Sequence, residues 1–279
     1  MLSTSLSVGP THLRVRSLSL MLAFYRDLVG LSLISQSEAV VVLGTGKVPI
    51  IALEQDLVLS WPRERSAGLY HQAILFSSQS DLADSLSRIM TNKPERYQGS
   101  ADHLLSEAFY FADPEGNGVE LYYDRDPGSW QWQDGKIVMA SLPLDINTYI
   151  RRYRNTRGRA GVRPGHVHLK VGSIAMAREF YVNTMGMIVT AELPGALFVS
   201  DGVYHHTLGL NTWESEGAGP RDMTLGLSLV ELKVAKRTDL LRLAERLDRS
   251  RIEYKFENEK LNVYDPWGNE IELKVEKID

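Results

Sequence analysis

The sequence lacks cysteine and has no large excess of charge of one sign. Its 279 residues contain no cysteine, which excludes disulfide bonds, thiolate metal sites and cysteine nucleophiles, and fits a reducing cytoplasm. Its 31 lysines and arginines nearly balance 35 aspartates and glutamates, for a net charge of −4. Neither a nucleic acid nor an anionic membrane surface is therefore expected as a partner.

Long apolar runs are also missing. No segment is long enough to cross a bilayer, and residues 1–10 lack the basic start and the apolar stretch of a signal peptide. We therefore expect a soluble, cytoplasmic protein. Hydrophobic residues make up 43% of the chain, which is enough for well-packed cores, and the length suggests about two domains.

A strand-and-helix motif recurs in the chain at a constant spacing. His12 and Phe24 of the first half recur as His168 and Phe180, each 156 residues later. In both copies an alternating strand leads to an amphipathic helix. A later Asp-Pro-x-Gly-Asn motif starts at residue 113 and again at residue 265, 152 residues on. Its proline, glycine and asparagine are typical of a tight turn between two strands.

Each half also holds a second strand-and-helix unit. A strand at 71–76 precedes a helix at 81–90, and a strand at 227–234 precedes a helix at 238–250. Residues 126–160 match neither half and are predicted to form a linker with a short helix around 145–154. The pattern thus predicts four similar units, paired into two halves.

These markers together resemble the vicinal oxygen chelate superfamily, which contains glyoxalase I, bleomycin-resistance proteins and extradiol dioxygenases. The resemblance covers nearly the whole chain outside the linker. Four units and the segment from Tyr204 to Trp213 are similar to two-domain catechol-2,3-dioxygenases. The resemblance implies an α+β fold of four βαβββ units, paired into two domains with cup-shaped mixed sheets at residues 8–125 and 161–279.

The resemblance implies a metal site in the C-terminal domain. His166 lies where the superfamily places its first metal-binding histidine, and Glu272 lies in the final strand, where it places its carboxylate. An imidazole and a carboxylate suit Fe(II), or else Mn(II), and leave positions for a substrate and for O₂ as co-substrate. We expect His166 and Glu272 to share one ion.

The second histidine ligand of the superfamily has no counterpart, because Leu229 occupies its position. Two replacements remain open. Glu231 lies two residues along on the same face of the strand. Alternatively, His205 or His206 supplies a ligand.

Two histidines are candidates for catalysis. The resemblance assigns a hydrogen bond to the substrate, and an acid/base role, to His206. Strict alternation from Gly209 would turn His205 into the cup instead, so both stay open. His168 shares a strand face with His166 and is the other candidate. The tyrosine that extradiol enzymes carry in the penultimate strand is missing from the last unit, where Asn262 stands.

The N-terminal domain matches the ligand pattern less well. His71 and Glu120 occupy ligand positions, but Pro10 and Ala52 stand where the other ligands belong. Two ligands rarely hold a catalytic ion. We therefore predict that this domain holds no metal, and that His71 and Glu120 are structural.

Three functions are open on the sequence alone. The first is an extradiol dioxygenase that cleaves a small catechol-like aromatic, using the metal to hold the two hydroxyl oxygens. The second is a metal-free protein that binds a small molecule, as bleomycin-resistance proteins do. The third is a glyoxalase-like isomerase or lyase. Homo-oligomerisation is compatible with all three.

Overall fold

The computed structural model describes residues 6–154 and 161–276, and within them it confirms the α+β fold of four βαβββ units. The first repeat contains β1 (Leu6–Val15), α1 (Leu18–Leu22), β2 (Ser32–Gln36), β3 (Val40–Thr45) and β4 (Val48–Gln55). The second contains β5 (Gly68–Phe76), α2 (Gln79–Asn92), β6 (Tyr97–Asp102), β7 (Ser106–Ala112) and β8 (Gly118–Asp124).

A linker separates these repeats from two more of the same kind. The linker contains β9 (Trp132–Gln133), β10 (Lys136–Ile137) and α3 (Ile146–Tyr153), the short helix expected there. The third repeat contains β11 (Val162–Lys170), α4 (Ile174–Ala177), β12 (Ile188–Leu193), β13 (Ala196–Ser200) and β14 (Leu208–Asn211). The fourth contains β15 (Gly226–Val234), α5 (Arg237–Arg249), β16 (Tyr254–Glu257), β17 (Lys260–Tyr264) and β18 (Glu270–Val275).

The described strands of the repeats form two mixed sheets of eight strands each. One has the order β16-β17-β18-β15-β1-β4-β3-β2, and the other β12-β13-β14-β11-β5-β8-β7-β6. In the repeats that begin with β5, β11 and β15, this first strand pairs in parallel with the last strand, and hairpins complete the set. The strand order brings β11, β5 and β8 into consecutive positions of one sheet.

The chain divides into two compact units, as far as the structure describes them. One contains the chain up to Leu13, Val58–Tyr70 and His166–Asp279, and the other contains Arg14–Leu57 and His71–Gly165. The first has an extensive apolar core that includes Tyr181 and Trp267. The domain limits predicted from the sequence stay a prediction, and their linker end at 155–160 and C-terminus at 277–279 lie outside the described residues.

In each half the first helix continues as a π-helical segment. A tyrosine of this segment points toward the Asp-Pro-x-Gly-Asn turn. Tyr25 donates a hydrogen bond to Asp113 over 2.9 Å, and Tyr181 donates one to Asp265 over 2.8 Å. Asp113 also accepts the backbone N–H groups of Glu115 and Asn117. Burial raises the pKa of Asp113 to about 6, so that it is ionised at pH 8. Each turn is thereby fixed to the helix of its own half.

Removal of either tyrosine hydroxyl tests the contribution of these bonds. Tyr25→Phe and Tyr181→Phe should each lower the free energy of unfolding at pH 8 by about 1.5 to 3 kcal/mol, because a buried carboxylate loses one donor. Urea denaturation measures the change. Tyr254→Phe is the control, since its bond to Asp248 lies at the surface. Equal changes in all three variants would contradict a special role for the buried bonds.

Candidate functional site

The second repeat brings a buried histidine and a buried glutamate together. His71 lies on β5 and Glu120 on β8, and these strands pair in parallel with Ala73 opposite Glu120. The His71 Nε2 atom and a Glu120 carboxylate oxygen are 2.9 Å apart. Two neighbouring ligands of an octahedral ion with bonds of about 2.1 Å would be separated by roughly 3 Å. The pair therefore has the separation of two ligands to one metal.

A tyrosine of the neighbouring strand borders this pair. Tyr110 on β7 lies directly opposite Glu120, and its ring packs against His71 with centroids 5.6 Å apart. The Tyr110 hydroxyl is 2.8 Å from His103 Nε2, and His103 Nδ1 is 2.7 Å from the carbonyl oxygen of Ala140. Because that carbonyl can only accept, His103 Nδ1 carries hydrogen, and a neutral His103 accepts from the tyrosine.

Tyr110 and His103 were not predicted from the sequence, although a signal for the tyrosine was present. Tyr110 precedes Glu120 by ten residues, as Asn262 precedes Glu272. The tyrosine was expected in the last repeat, and it stands at the same place in the second. The expectation that His71 and Glu120 have only a structural role stays untested, but both now lie beside a tyrosine of the kind that extradiol enzymes carry.

Three buried histidines of the third repeat lie side by side. The ring of His166 on β11 is 4.1 Å from the ring of His206 and 6.1 Å from that of His205, centroid to centroid. The Nδ1 atoms of His205 and His206 are 2.7 Å apart, so one of them donates hydrogen to the other. The backbone carbonyl of His205 accepts from Thr190, which fixes the segment before β14. His205 is thereby placed to orient His206.

His168, also predicted to be catalytic, has different neighbours. Its Nε2 atom is 3.0 Å from the side-chain amide of Asn211, and its ring contacts Tyr70, Phe198 and Trp213. These contacts place His168 among aromatic rings, whereas His166 lies against the two histidines of the segment before β14. Its catalytic role stays a prediction.

The fourth repeat surrounds its two buried carboxylates with lysines. Both oxygens of Glu272 accept from Lys260 at 3.0 Å. Glu231 lies 2.7 Å from Lys274 and 3.7 Å from His12. Burial raises the pKa of Glu231, but the nearby His12 and Lys274 outweigh this effect and lower the pKa below its ordinary value. The predicted metal ligands Glu231 and Glu272 are thus already paired with cationic side chains.

Replacement of Lys274 tests how far Glu231 depends on it. Lys274→Met should lower the free energy of unfolding at pH 7.5 by about 2 to 3 kcal/mol, because a buried carboxylate loses its cation. The value lies below that of a fully buried pair, since about a third of Lys274 is exposed. Thermal and urea denaturation measure it. Lys233→Met, on the neighbouring strand, is the control, and a loss as large there would contradict the assignment.

Comparisons with known proteins agree with this architecture. The profile of the glyoxalase/bleomycin resistance protein/dioxygenase superfamily matches residues 163–273. Over 222 residues the chain is 33% identical to the catechol-2,3-dioxygenase of Bacillus subtilis strain 168, and the alignment covers 77% of each chain. This chain therefore belongs to the superfamily. The prediction made from its turn and helix motifs is confirmed.

Solved structures show the same fold. Glyoxalase I from Zea mays superposes with a TM-score of 0.59 at 15% identity, covering 96% of this chain and 92% of the other. The cppA protein from Streptococcus pneumoniae also gives 0.59, at 12% identity over 99% of both chains. Among the described residues, no helix has the length and apolar character that a membrane crossing requires.

Proposed function

We propose that this protein is a metal-dependent extradiol dioxygenase, which cleaves a catechol-like ring next to its hydroxyl groups. The observation that carries the proposal is the buried His71–Glu120 pair with Tyr110 directly opposite Glu120. This set matches the histidine, carboxylate and penultimate-strand tyrosine of extradiol enzymes. The similarity to a catechol-2,3-dioxygenase supports the same reaction class.

The proposed metal ligands include His71 and Glu120 of the second repeat. Both are buried, and each offers one ligand atom. An imidazole and a carboxylate suit Fe(II) or Mn(II) and leave positions open for a substrate. Such a metal, when bound, would hold both hydroxyl oxygens of the diol and make their protons more acidic. Leu229 of the fourth repeat cannot bind a metal. The proposed histidine ligand is therefore His71 of the second repeat.

The surrounding residues would orient the diol and handle its protons. His206, packed on His166 and hydrogen-bonded to His205, is proposed to donate a hydrogen bond to the substrate. Tyr110, whose hydroxyl bonds to His103, is proposed to contact the substrate from the side of Glu120. Both side chains belong to strands or segments with fixed backbone pairing, which favours a preorganised site.

The metal content of matched glutamate variants tests the ligand assignment. Glu120→Gln and His71→Ala should lose the metal of the anaerobically purified protein, because each removes one of the proposed ligands. Glu272→Gln should keep the metal, since that carboxylate is paired with Lys260. Elemental analysis of the purified variants gives the ratio of metal to protein.

Two outcomes would contradict the assignment. If Glu272→Gln lost its metal and Glu120→Gln kept it, the site would lie in the last repeat, as the sequence first suggested. If the wild-type protein bound no divalent metal, the metal-free binding protein would become the better account. Circular dichroism of each variant separates loss of a ligand from loss of the fold.

A variant of His206 distinguishes its proposed role as a proton donor from the role of a metal ligand. His206→Ala should keep the metal and still bind catechol, while kcat falls by roughly 10²- to 10⁴-fold, the range for losing a positioned proton donor. Formation of the yellow ring-cleavage product measures the rate. His205→Ala should reduce kcat less, because it only orients His206. Unchanged kcat in His206→Ala would exclude this role.

The glyoxalase-like alternative would use the same fold and a similar metal. It differs in consuming no oxygen. Oxygen uptake coupled to catechol loss therefore distinguishes the two reactions, and an isomerase would show neither. Tyr110 and the catechol-2,3-dioxygenase relative favour the dioxygenase.

A further inference from the structure

Three aromatic rings contact one another, namely Tyr70 of β5 and His168 and Trp213 of the third repeat. Tyr70 and His168 have centroids 5.2 Å apart, Tyr70 and Trp213 5.6 Å, and His168 and Trp213 5.7 Å. Such tilted contacts are the geometry that aromatic pairs prefer. We call Tyr70, His168 and Trp213 the aromatic wall.

Hydrogen bonds fix the orientation of the wall. The Asn211 carboxamide oxygen accepts the backbone N–H of Trp213 over 3.2 Å, so its nitrogen must be the atom that donates to His168 Nε2. The Trp213 indole N–H donates to the carbonyl oxygen of Pro194. The His168 ring rests on Gly209, where an added Cβ would lie only 2.8 Å from the ring. These contacts fix the ring orientations of His168 and Trp213, which favours a preorganised surface.

The wall continues to the histidine proposed to be catalytic. His168 contacts Phe198 with centroids 5.6 Å apart, and Phe198 contacts His206 at 5.0 Å. A row of rings therefore runs from His206 to Trp213, which is 50% exposed. Since the indole N–H is already bonded to Pro194, the exposed part of Trp213 offers a mainly apolar surface. If a diol binds beside His206, a substituent on its ring would lie against this row of aromatic rings.

We propose that Trp213 and Tyr70 are specificity-determining residues, which contact an apolar substituent on the ring of the diol substrate. The proposal rests on the proposed dioxygenase function and adds the substrate class to it. The preferred substrate is an alkyl- or aryl-substituted catechol, and unsubstituted catechol lacks the group that the wall contacts.

Catechol and its derivative with a tert-butyl group at ring position four test the proposal. The preference for tert-butylcatechol over catechol, expressed as the ratio of their kcat/KM values, should fall by about tenfold or more in Trp213→Ala. This is the size expected for losing one side of an apolar pocket, and the loss should lie mainly in KM. Trp213→Phe should retain most of the preference, because a ring remains. Trp132→Ala, at an exposed tryptophan of β9, is the control and should match the wild type. Anaerobic calorimetry should show the same loss in the affinity for tert-butylcatechol.

The possible outcomes distinguish the specificity role of the aromatic wall from the proposed dioxygenase reaction. If the ratio of the two kcat/KM values were unchanged in a folded Trp213→Ala variant, the role proposed for the aromatic wall would be wrong. The proposed dioxygenase function would not be affected. Weaker binding of tert-butylcatechol in Trp213→Ala, without ring cleavage by the wild type, would support the wall and overturn the dioxygenase. If the wild type neither bound nor cleaved either diol, both would be wrong.

Discussion

A buried carboxylate needs hydrogen bonds or a positive charge to replace its lost hydration, and the groups that supply them differ between Glu120 and Glu272. Glu120 is 3% exposed, and its ion-pair partner within the second repeat is an imidazole. A neutral imidazole offers one hydrogen bond but no full charge, and the proposed metal cation would add a charge there. Glu272, at the equivalent place in the last repeat, has the ammonium group of Lys260 instead. The same strand position thus has an imidazole partner in the second repeat and an ammonium partner in the fourth.

The backbone that carries Glu120 is fixed by bonds outside the site. Glu120 follows the turn at Asp113–Asn117 by three residues, and Asp113 accepts a hydrogen bond from Tyr25 of the first helix. The π-helical geometry of that helix places Tyr25 in the buried interior, and the left-handed Gly30 ends it. Tyr181 and Asp265 repeat the arrangement in the other half. A structural bond common to both halves therefore supports glutamates whose surroundings differ.

Local features were predictable from the sequence because they depend on neighbouring residues. The strand-and-helix units and the Asp-Pro-x-Gly-Asn turns each follow from the preferences of a few neighbouring residues. The order of strands in a sheet depends on contacts distant in sequence, and no local pattern contains it. The sequence placed His71 and Glu120 at ligand positions, but no local pattern showed that their side chains lie 2.9 Å apart. The ten-residue spacing from Tyr110 to Glu120 was visible in the sequence, but the tyrosine was expected only at Asn262.

The most direct test of this account is the position of the metal itself. Crystals grown anaerobically with Fe(II), and measured on both sides of the iron absorption edge, give an anomalous difference map. The account predicts one strong peak about 2 Å from the Glu120 carboxylate and from a ring nitrogen of His71. A peak beside Glu272 or Glu231 in place of it, or no iron peak in protein that cleaves catechol, would contradict the account.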